Sequence, residues 1–402
     1  MESPTVTSSR ARPWHRISRG DLLFGLTVLV VYLVATWIAI HWRHADPDRL
    51  MLVAESAVTG HLDNAALKDT TDSVAFGGRY YLAVGPLQLL PYLPFAFLHV
   101  LLGLSRYMIE LAVAIPAAWL ALPLARAYGA RGATAYWIAA FTAFGTLFFF
   151  ISVFGDFYYL AHAESFLALT LFLLEWAGRR RPALLGSCMA FSFLARPTTV
   201  LAAVPFGLVL LWRRRDAVVA ALAFVLPVAV AIGIYGWFNW VRFGSPTEAG
   251  YALSYLPQPG IEPRRELGLF SLLQIPENLR LALLALPERL GHFPYFTASP
   301  YGLSMLLVSP ALLASAWAGV RDARARLLWI SAGLVAIPVF LYYGGGYVQY
   351  GFRYSLDFTP FLVALVALGS GRWIGRPERA LILLSIASVS YGVLWHAITW
   401  LR

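Results

Sequence analysis

The first apolar segment, Leu22-Leu-Phe-Gly-Leu-Thr-Val-Leu-Val-Val-Tyr-Leu-Val-Ala-Thr-Trp-Ile-Ala-Ile40, contains no charged side chain. A helix of this length measures about 30 Å, which is the thickness of the hydrocarbon layer of a membrane. Arg10, Arg12, Arg16 and Arg19 precede it, and it ends in Ala-Ile-His-Trp rather than in the small residues of a signal-peptide cleavage site. The segment is therefore predicted to be a retained membrane span.

The composition of the whole chain indicates the same class of protein. Of its 402 residues, 59% are hydrophobic and 13% are charged, whereas a soluble domain has about a quarter charged residues. The net charge of +10 comes almost entirely from arginines in short clusters between apolar runs, which is a pattern of membrane topology and argues against nucleic-acid binding. A single cysteine, Cys188, excludes an intramolecular disulfide and a cysteine metal site.

The arginine clusters order the chain across the membrane. They are the N-terminal segment, Arg126 with Arg131, Arg179–Arg181, Arg213–Arg215, Arg321 with Arg324 and Arg326, and Arg372 with Arg376 and Arg379. Because cytoplasmic loops are rich in Lys and Arg, we expect these clusters and the N-terminus in the cytoplasm of a bacterium and the acid-rich segments outside its inner membrane. Residues 1–21 are expected to form a disordered basic tail, and residues 22–402 a single membrane domain with extracytoplasmic loops near 42–106 and 239–300.

The charge pattern also predicts how two apolar stretches lie relative to the membrane. If Val84–Leu104 crossed the membrane, the later clusters would change sides; it also contains three prolines, so we predict a juxtamembrane or re-entrant segment. Ala183–Trp212 has arginines at both ends and is predicted to turn near Arg196-Pro197. The predicted fold is an all-α polytopic bundle of about eleven spans. They lie near 22–41, 107–125, 133–151, 160–177, 183–195, 198–212, 217–238, 301–320, 327–343, 357–370 and 380–399.

Candidate catalytic residues lie in the first outer loop. Asp46 and Asp48 follow the first span at the membrane–water boundary, where a carboxylate can act as general base on a hydroxyl. The alternative is a solvated flank or a helix N-cap before the amphipathic stretch Leu50–Val58. Arg79 and Tyr80 are candidates for phosphate or sugar contacts, or for interfacial anchors.

Two further outer segments carry candidate binding residues. Asp156 precedes a helix with His162 and Glu164, and ionisable residues within a span indicate function; the alternative for His162 is a helix-end cap. Arg353 lies among tyrosines and glycines, with Tyr350 and Tyr354 beside it, and suits a phosphate ester. An Arg353–Asp357 pair at spacing i,i+4 is the alternative.

At these residues the chain resembles the GT-C superfamily of polyprenyl-phosphate-sugar-dependent glycosyltransferases, which includes protein O-mannosyltransferases and aminoarabinose transferases. The resemblance rests on the order of the motifs. They are an acid soon after the first span, Gly-Arg79-Tyr-Tyr before Gly-Pro86-Leu, the His162 helix, Ala-Arg196-Pro-Thr, the stretch Asn239–Tyr251, and Gly-Phe-Arg353-Tyr.

The resemblance implies two juxtamembrane helices in the first outer loop and an inverting hexosyl or pentosyl transfer on the extracytoplasmic face. It assigns the base to Asp46, with Asp48 as the competing choice, a second acid to Asp156, and lipid-phosphate binding to Arg353. The implied partners are a polyprenyl-phosphate sugar donor, a lipid, glycan or protein acceptor, and membrane lipids. A divalent cation, Mg²⁺ or Mn²⁺, between the acids and the phosphate is compatible with this arrangement, and the sequence does not establish a metal. The O-mannosyltransferases have adjacent acids, which Pro47 separates here.

Other functions remain open at this point. A transporter or flippase of lipid-linked sugars would need a polar path through the bilayer, and a glycan polymerase or ligase would use outer arginines and histidines.

Overall fold

A computed structural model describes residues 17–41, 49–68, 70, 72–96, 106–212, 215–253, 262–293, 295–347 and 349–399. The α-helices of the described residues include α1 (Arg19–His41), α2 (Arg49–Val58), α3 (Pro86–Leu89), α4 (Arg106–Trp119), α5 (Ala121–Ala127), α6 (Ala133–Phe144), α7 (Leu147–Phe154), α8 (Phe157–Ala177), α9 (Pro182–Ala195), α10 (Ala203–Leu211), α11 (Ala217–Phe243), α12 (Glu262–Arg265), α13 (Ile275–Leu284), α14 (Met305–Val308), α15 (Ala323–Leu341), α16 (Thr359–Ser370) and α17 (Arg376–Thr399). Residues 92–96 are also helical.

Shorter elements connect these helices. The 3₁₀-helices are Ala65–Leu67, Pro197–Ala202, Leu272–Gln274, Pro310–Ala318 and Arg353–Asp357. Two antiparallel hairpins pair β1 (Ser73–Phe76) with β2 (Arg79–Leu82), and β3 (Glu288–Arg289) with β4 (Phe296–Thr297). Ser73 pairs with Leu82 in the first hairpin, and Glu288 pairs with Thr297 in the second.

The predicted polytopic helical fold is confirmed. Six helical segments among the described residues are long and apolar enough to cross a membrane: Arg19–Ile40, Met108–Ala127, Phe157–Ala177, Ala217–Phe243, Ala323–Leu341 and Arg376–His396. The pair α6 and α7, bent by 45°, would make a seventh. The bundle therefore spans the membrane several times.

The other four predicted spans fall on shorter pieces. Residues 183–195 and 198–212 correspond to α9 and to a 3₁₀-helix followed by α10, and 357–370 to α16. Residues 301–320 contain α14 and the 3₁₀-helix Pro310–Ala318. Proline lacks the N–H that an α-helix requires, so Pro310 prevents continuous α-helix there. The span predicted to end at residue 238 continues to Phe243, where Gly244 in a left-handed conformation (φ 68°) ends α11.

Burial separates interior helices from helices at the periphery. Of an 18-residue apolar stretch of α8, 83% is buried inside the protein, whereas the corresponding share is 33% in α1 and 22% in α11. In α16 most side chains from Thr359 to Ala367 are buried. Because α8 and α16 form the interior, polar side chains on them are shielded from lipid, and the exposed apolar faces of α1 and α11 suit the bilayer.

The first outer loop folds into compact structure against the bundle. The amphipathic stretch predicted at Leu50–Val58 is helix α2, which buries Leu50, Met51, Val53 and Ala54. The described part of Val84–Leu104 contains the short α3 and the helical residues 92–96 rather than one continuous span. Helices α2 and α3 therefore agree with the two juxtamembrane helices that the family resemblance implies.

Several predicted cytoplasmic clusters meet at one end of the bundle. Arg126 donates two hydrogen bonds to Asp21, at 2.6 and 2.9 Å, and Tyr136 donates a third at 2.7 Å. Thr134 donates to the carbonyl of Arg372 at 3.0 Å. These contacts bring the starts of α1, α6 and α17 together. This arrangement agrees with the prediction that their arginine clusters lie on the same side of the membrane.

Candidate active site

A large cavity opens between α8, α9 and α11. Its volume is about 700 Å³, and aromatic rings from Phe157 to Tyr354 form much of its wall. The polar groups on that wall include Arg196, Thr198, Asn239 and Glu248. A mainly apolar cavity of this size with a few polar groups is typical of a ligand site.

The buried carboxylate of Asp357 organises one wall of this cavity. Arg196 donates to it through Nε (3.0 Å) and Nη2 (2.9 Å), and Thr198 donates at 3.0 Å. The Nδ1 atom of His162 lies 3.0 Å from the same carboxylate. With four groups directed at it, Asp357 is suited to fixing Arg196 and His162 in place rather than to accepting a substrate proton.

Local sequence explains why Arg196 reaches Asp357. A residue before proline avoids the helical region, and Arg196, which precedes Pro197, is extended (φ −140°, ψ 95°). Helix α9 therefore ends at Ala195, as the predicted turn near Arg196-Pro197 required. The alternative that Asp357 pairs with Arg353 is wrong, because the carboxylate of Asp357 is occupied by partners from α8 and the α9–α10 connection.

Arg353 is a buried cation held by aromatic rings. Its guanidinium lies 4.5 Å from the ring centre of Tyr158 and 5.2 Å from that of Tyr354. Its Nη1 donates to the carbonyl of Tyr347 at 3.2 Å, whereas its buried Nε has no hydrogen-bond partner. No carboxylate of the described residues forms an ion pair with it. Tyr158 and Tyr354 also line the large cavity, so Arg353 stands directly behind that wall.

The segment before Arg353 is fixed by backbone bonds. Leu303 donates to the carbonyl of Tyr350 at 2.9 Å, and Phe352 donates to the carbonyl of Leu303 at 3.1 Å. The side chain of Gln349 donates to the carbonyl of Gly345 at 3.0 Å. The triple-glycine loop, Gly344-Gly-Gly346, is thus tied to Gln349, four residues before Arg353.

A second arginine contacts the triple-glycine loop. Arg264 donates to Gln274 (3.1 Å) and Asn278 (2.6 Å), while its buried Nη1 has no partner. A Cβ on Gly345 would lie 2.6 Å from that Nη1, so any larger residue at this position would displace the guanidinium. Burial lowers the pKa of the Arg264 guanidinium, but an arginine remains charged at neutral pH.

The predicted acids occupy different settings. Asp46 and Asp48 lie outside the described residues. Asp156 caps α8 by accepting from the backbone N–H of Phe157 at 2.7 Å. Arg49, which follows Asp48 in the sequence, lies 3.9 Å from the Asp156 carboxylate and stacks on Phe157 at 4.8 Å. Asp156 thus adjoins the cavity through Phe157, which lines it.

The remaining candidates are dispersed. Arg79, on the β1–β2 hairpin with Tyr80, has a side chain 59% exposed and lies 3.4 Å from Asp63. Glu164 is buried in α8, with Oε2 unpaired. Tyr350 donates to the carbonyl of Ser388 at 2.9 Å, and burial raises its pKa to about 12. None of these four side chains lines the large cavity, whereas Tyr354 does.

No metal site is present in the described part of the chain: no three His, Cys, Asp or Glu side chains there are grouped so as to hold an ion. Sequence reasoning did not select Arg196, Thr198 or Asp357 as site residues. The motif Ala-Arg196-Pro-Thr carried the available signal, because a proline after an arginine marks a helix break within an apolar run.

The architecture is that of a polytopic helical membrane protein. Specifically, it is similar to the crystal structure of ArnT from Cupriavidus metallidurans bound to undecaprenyl phosphate, with a TM-score of 0.53 and 15% sequence identity. The match covers 93% of this chain and 64% of the ArnT chain. No protein-family model and no curated protein matches the sequence. The likeness to ArnT at this identity concerns the fold.

Proposed function

We propose that this protein is a membrane glycosyltransferase that moves a sugar from a polyprenyl-phosphate donor to an acceptor hydroxyl. The donor sugar would be a hexose or a pentose, and the acceptor a lipid, a glycan or a protein. Following the arginine distribution, we place the reaction on the extracytoplasmic face of a bacterial inner membrane.

The observation that carries this proposal is the uncompensated charge of Arg353. A buried ion without a counterion is costly, because desolvation is not offset by an opposite charge. Cation–π contact with Tyr158 and Tyr354 offsets about 2 kcal/mol or more when the cation is desolvated. An anionic phosphate at the unpaired Nε would supply the missing counterion through a charge-assisted hydrogen bond.

Arg196 does not offer the same binding capacity, because Asp357 neutralises it. Two arginines at one wall therefore have different roles in the proposal: Arg353 binds the lipid phosphate, and Arg196 shapes the cavity. A lipid phosphate as the ligand is supported by the similar ArnT structure, which is bound to undecaprenyl phosphate.

The proposed reaction is an inverting displacement. The acceptor oxygen attacks the anomeric carbon opposite the phosphate, the bond between that carbon and the phosphate oxygen breaks, and the electron pair stays on the phosphate. Arg353 stabilises the charge that grows there. The acceptor proton passes to a carboxylate, which we assign to Asp46 with Asp48 as the competing choice.

Other residues would position the reactants. Asp156 and Arg49 hold the start of α8 against the cavity, and we propose that Asp156 orients the sugar or the acceptor. Tyr354 would contact the donor directly. We also propose five binding residues that do not line the cavity: Arg79, Tyr80, His162, Glu164 and Tyr350.

The test of phosphate binding uses purified protein and undecaprenyl phosphate. Native mass spectrometry should show retention by the wild type and a loss of about tenfold or more in Arg353→Gln, since hydrogen bonds to charged groups contribute roughly 1.5–3 kcal/mol. Arg353→Lys should retain part of the binding as a point charge. Arg280→Gln is the matched control, because Arg280 is exposed and paired with Glu277 at 2.7 Å. Equal retention by Arg353→Gln and Arg280→Gln would reject the assignment.

The test of activity is mass spectrometry of envelope glycans and lipid-linked sugars in a deletion strain. We expect a polyprenyl-phosphate sugar to accumulate and one glycan modification to disappear. Wild type and Arg280→Gln should restore the profile, and Arg353→Gln should not. An unchanged profile after deletion would reject a transferase, and donor movement across sealed vesicles without sugar transfer would indicate a flippase.

A further inference from the structure

A second cavity lies at the predicted cytoplasmic end, away from the proposed active site. Its volume is about 450 Å³, and its wall includes Arg131, Thr134, Arg372, Trp373 and Arg379, with residues 132, 133 and 374. Two arginine clusters that are far apart in the sequence therefore meet around one space. As topology signals these arginines need only lie on one side of the membrane, so their convergence on a cavity calls for a separate explanation.

The cavity is strongly positive. Its lining contains three arginines and no acidic residue. Within the described ranges, none of the three forms an ion pair. Glu378 is near in sequence, but its carboxylate lies against Gly375.

Backbone structure adds to this charge and fixes the arrangement. Helix α6 begins at Ala133 in the cavity wall, and α17 begins at Arg376, just beyond it. The N–H groups at a helix start favour anions. The hydrogen bond of 3.0 Å from Thr134 to the carbonyl of Arg372 joins the two chain segments.

The surroundings distinguish a lipid headgroup from a soluble anion. Trp373 is 85% exposed, and tryptophan is enriched where a protein meets the membrane interface. Leu383 follows Arg379 by one helical turn and is 55% exposed, so the two lie on one face of α17. That face leads from the arginines towards the membrane interior, along a path that acyl chains can follow.

We infer that this cavity binds the phosphodiester headgroup of an anionic glycerophospholipid. The three arginines contact the phosphate, Trp373 lies beside the glycerol region, and the acyl chains follow the exposed leucines of α17. Basic pockets between membrane helices on the cytoplasmic side are suited to such headgroups. The inference does not depend on the proposed transferase activity.

The test compares phosphatidylglycerol with phosphatidylcholine of the same acyl chains, each added to the purified full-length protein. Native mass spectrometry should show preferential retention of phosphatidylglycerol by the wild type. Each arginine near a membrane surface contributes about fivefold to anionic-lipid binding. We therefore expect Arg379→Gln to lose about fivefold, and the triple variant Arg131→Gln/Arg372→Gln/Arg379→Gln to lose on the order of 100-fold.

The control triple is Arg179→Gln/Arg215→Gln/Arg321→Gln. It removes the same charge from other predicted cytoplasmic clusters, at exposed positions that do not line the cavity. Its retention of phosphatidylglycerol should stay within about twofold of wild type. Direct contacts in the cavity contribute more to lipid binding than charges elsewhere on the surface, whose field is screened by salt. Equal losses in both triples, or equal retention of the two lipids by the wild type, would overturn the inference.

A third arm separates the lipid from a soluble phosphate. The readout is thiol labelling of the buried Cys188 on heating, which bound phosphatidylglycerol should slow. Inorganic phosphate, added alone at the same concentration, should not slow this labelling to a comparable extent. Protection equal to that from phosphatidylglycerol would show a soluble-anion site instead. Arg379→Gln keeps the test valid if the triple variant fails to fold, because retention of phosphatidylglycerol at the wild-type level in this single variant would also contradict the inference.

Discussion

Replacing Asp357 with asparagine should destabilise the protein more than any surface-charge change. The substitution keeps the shape of the side chain but removes the charge that faces Arg196 and His162. Asp357 is fully buried, and the side chain of Arg196 is 18% exposed. Removing one partner of a buried ion pair costs about 3–5 kcal/mol. Because Arg196 borders the cavity, we expect the lower value of about 3 kcal/mol, which is roughly 150-fold in the folding equilibrium.

The single cysteine provides the assay. Cys188 is buried in α9, so a thiol-reactive dye labels it when the bundle opens. The free energy of opening can be obtained from labelling against denaturant in detergent. The matched control is Asp322→Asn, whose ion pair with Arg324 at 2.8 Å is partly exposed and should contribute less than about 1 kcal/mol.

A double-mutant cycle isolates the pair. Arg196→Gln combined with Asp357→Asn should be less destabilised than the sum of the two single variants, by roughly 1–3 kcal/mol, because the double variant leaves no unpaired charge. If Asp357→Asn costs no more than Asp322→Asn, or if the two single effects add, then Asp357 does not hold Arg196 through charge.

Two other substitutions test the packing and the cap of the helices that border the cavity. Gly186→Ala places a Cβ against the backbone carbonyl of Phe224 in α11 and should destabilise the protein by about 1–3 kcal/mol in the Cys188 assay. The control is Gly233→Ala, which has open space around it and should change stability by less than about 0.5 kcal/mol. Equal effects of the two substitutions would contradict the close contact between α9 and α11. Asp156→Ala should cost about 1 kcal/mol through loss of the α8 cap, and Asp156→Asn should restore most of it because its oxygen can accept the same bond. If Asp156 also orients a substrate, Asp156→Asn should still lose donor turnover by mass spectrometry, and full turnover would limit it to capping.

The sequence was sufficient to predict the class of fold because membrane burial constrains every residue of a span. Leu22–Ile40 can be interpreted from length and apolarity alone, and the prolines of Val84–Leu104 explain why its described part is not one regular helix. The exact spans were harder to predict. Residues 301–320 are as apolar as a span, but Pro310 divides them between a short α-helix and a 3₁₀-helix.

The site was less predictable because its partners are distant in sequence. Arg196 and Asp357 are separated by 161 residues, and a spacing rule could suggest only the local Arg353–Asp357 pair. Residue type drew attention to Arg353 because it lies among tyrosines in the sequence, and the structure places the rings of Tyr158 and Tyr354 around its guanidinium. The three-dimensional arrangement shows that Asp357 neutralises Arg196, whereas the buried Nε of Arg353 has no hydrogen-bond partner.

The most direct measurement is a structure of the protein with undecaprenyl phosphate, determined in a membrane mimetic. We predict phosphate density within about 3 Å of the Arg353 guanidinium, as for a charge-assisted hydrogen bond, and isoprenoid density in the 700 Å³ cavity. A phosphate bound elsewhere while Arg353 stays enclosed by Tyr158 and Tyr354, or a cavity without lipid at saturating ligand, would contradict the proposed donor site.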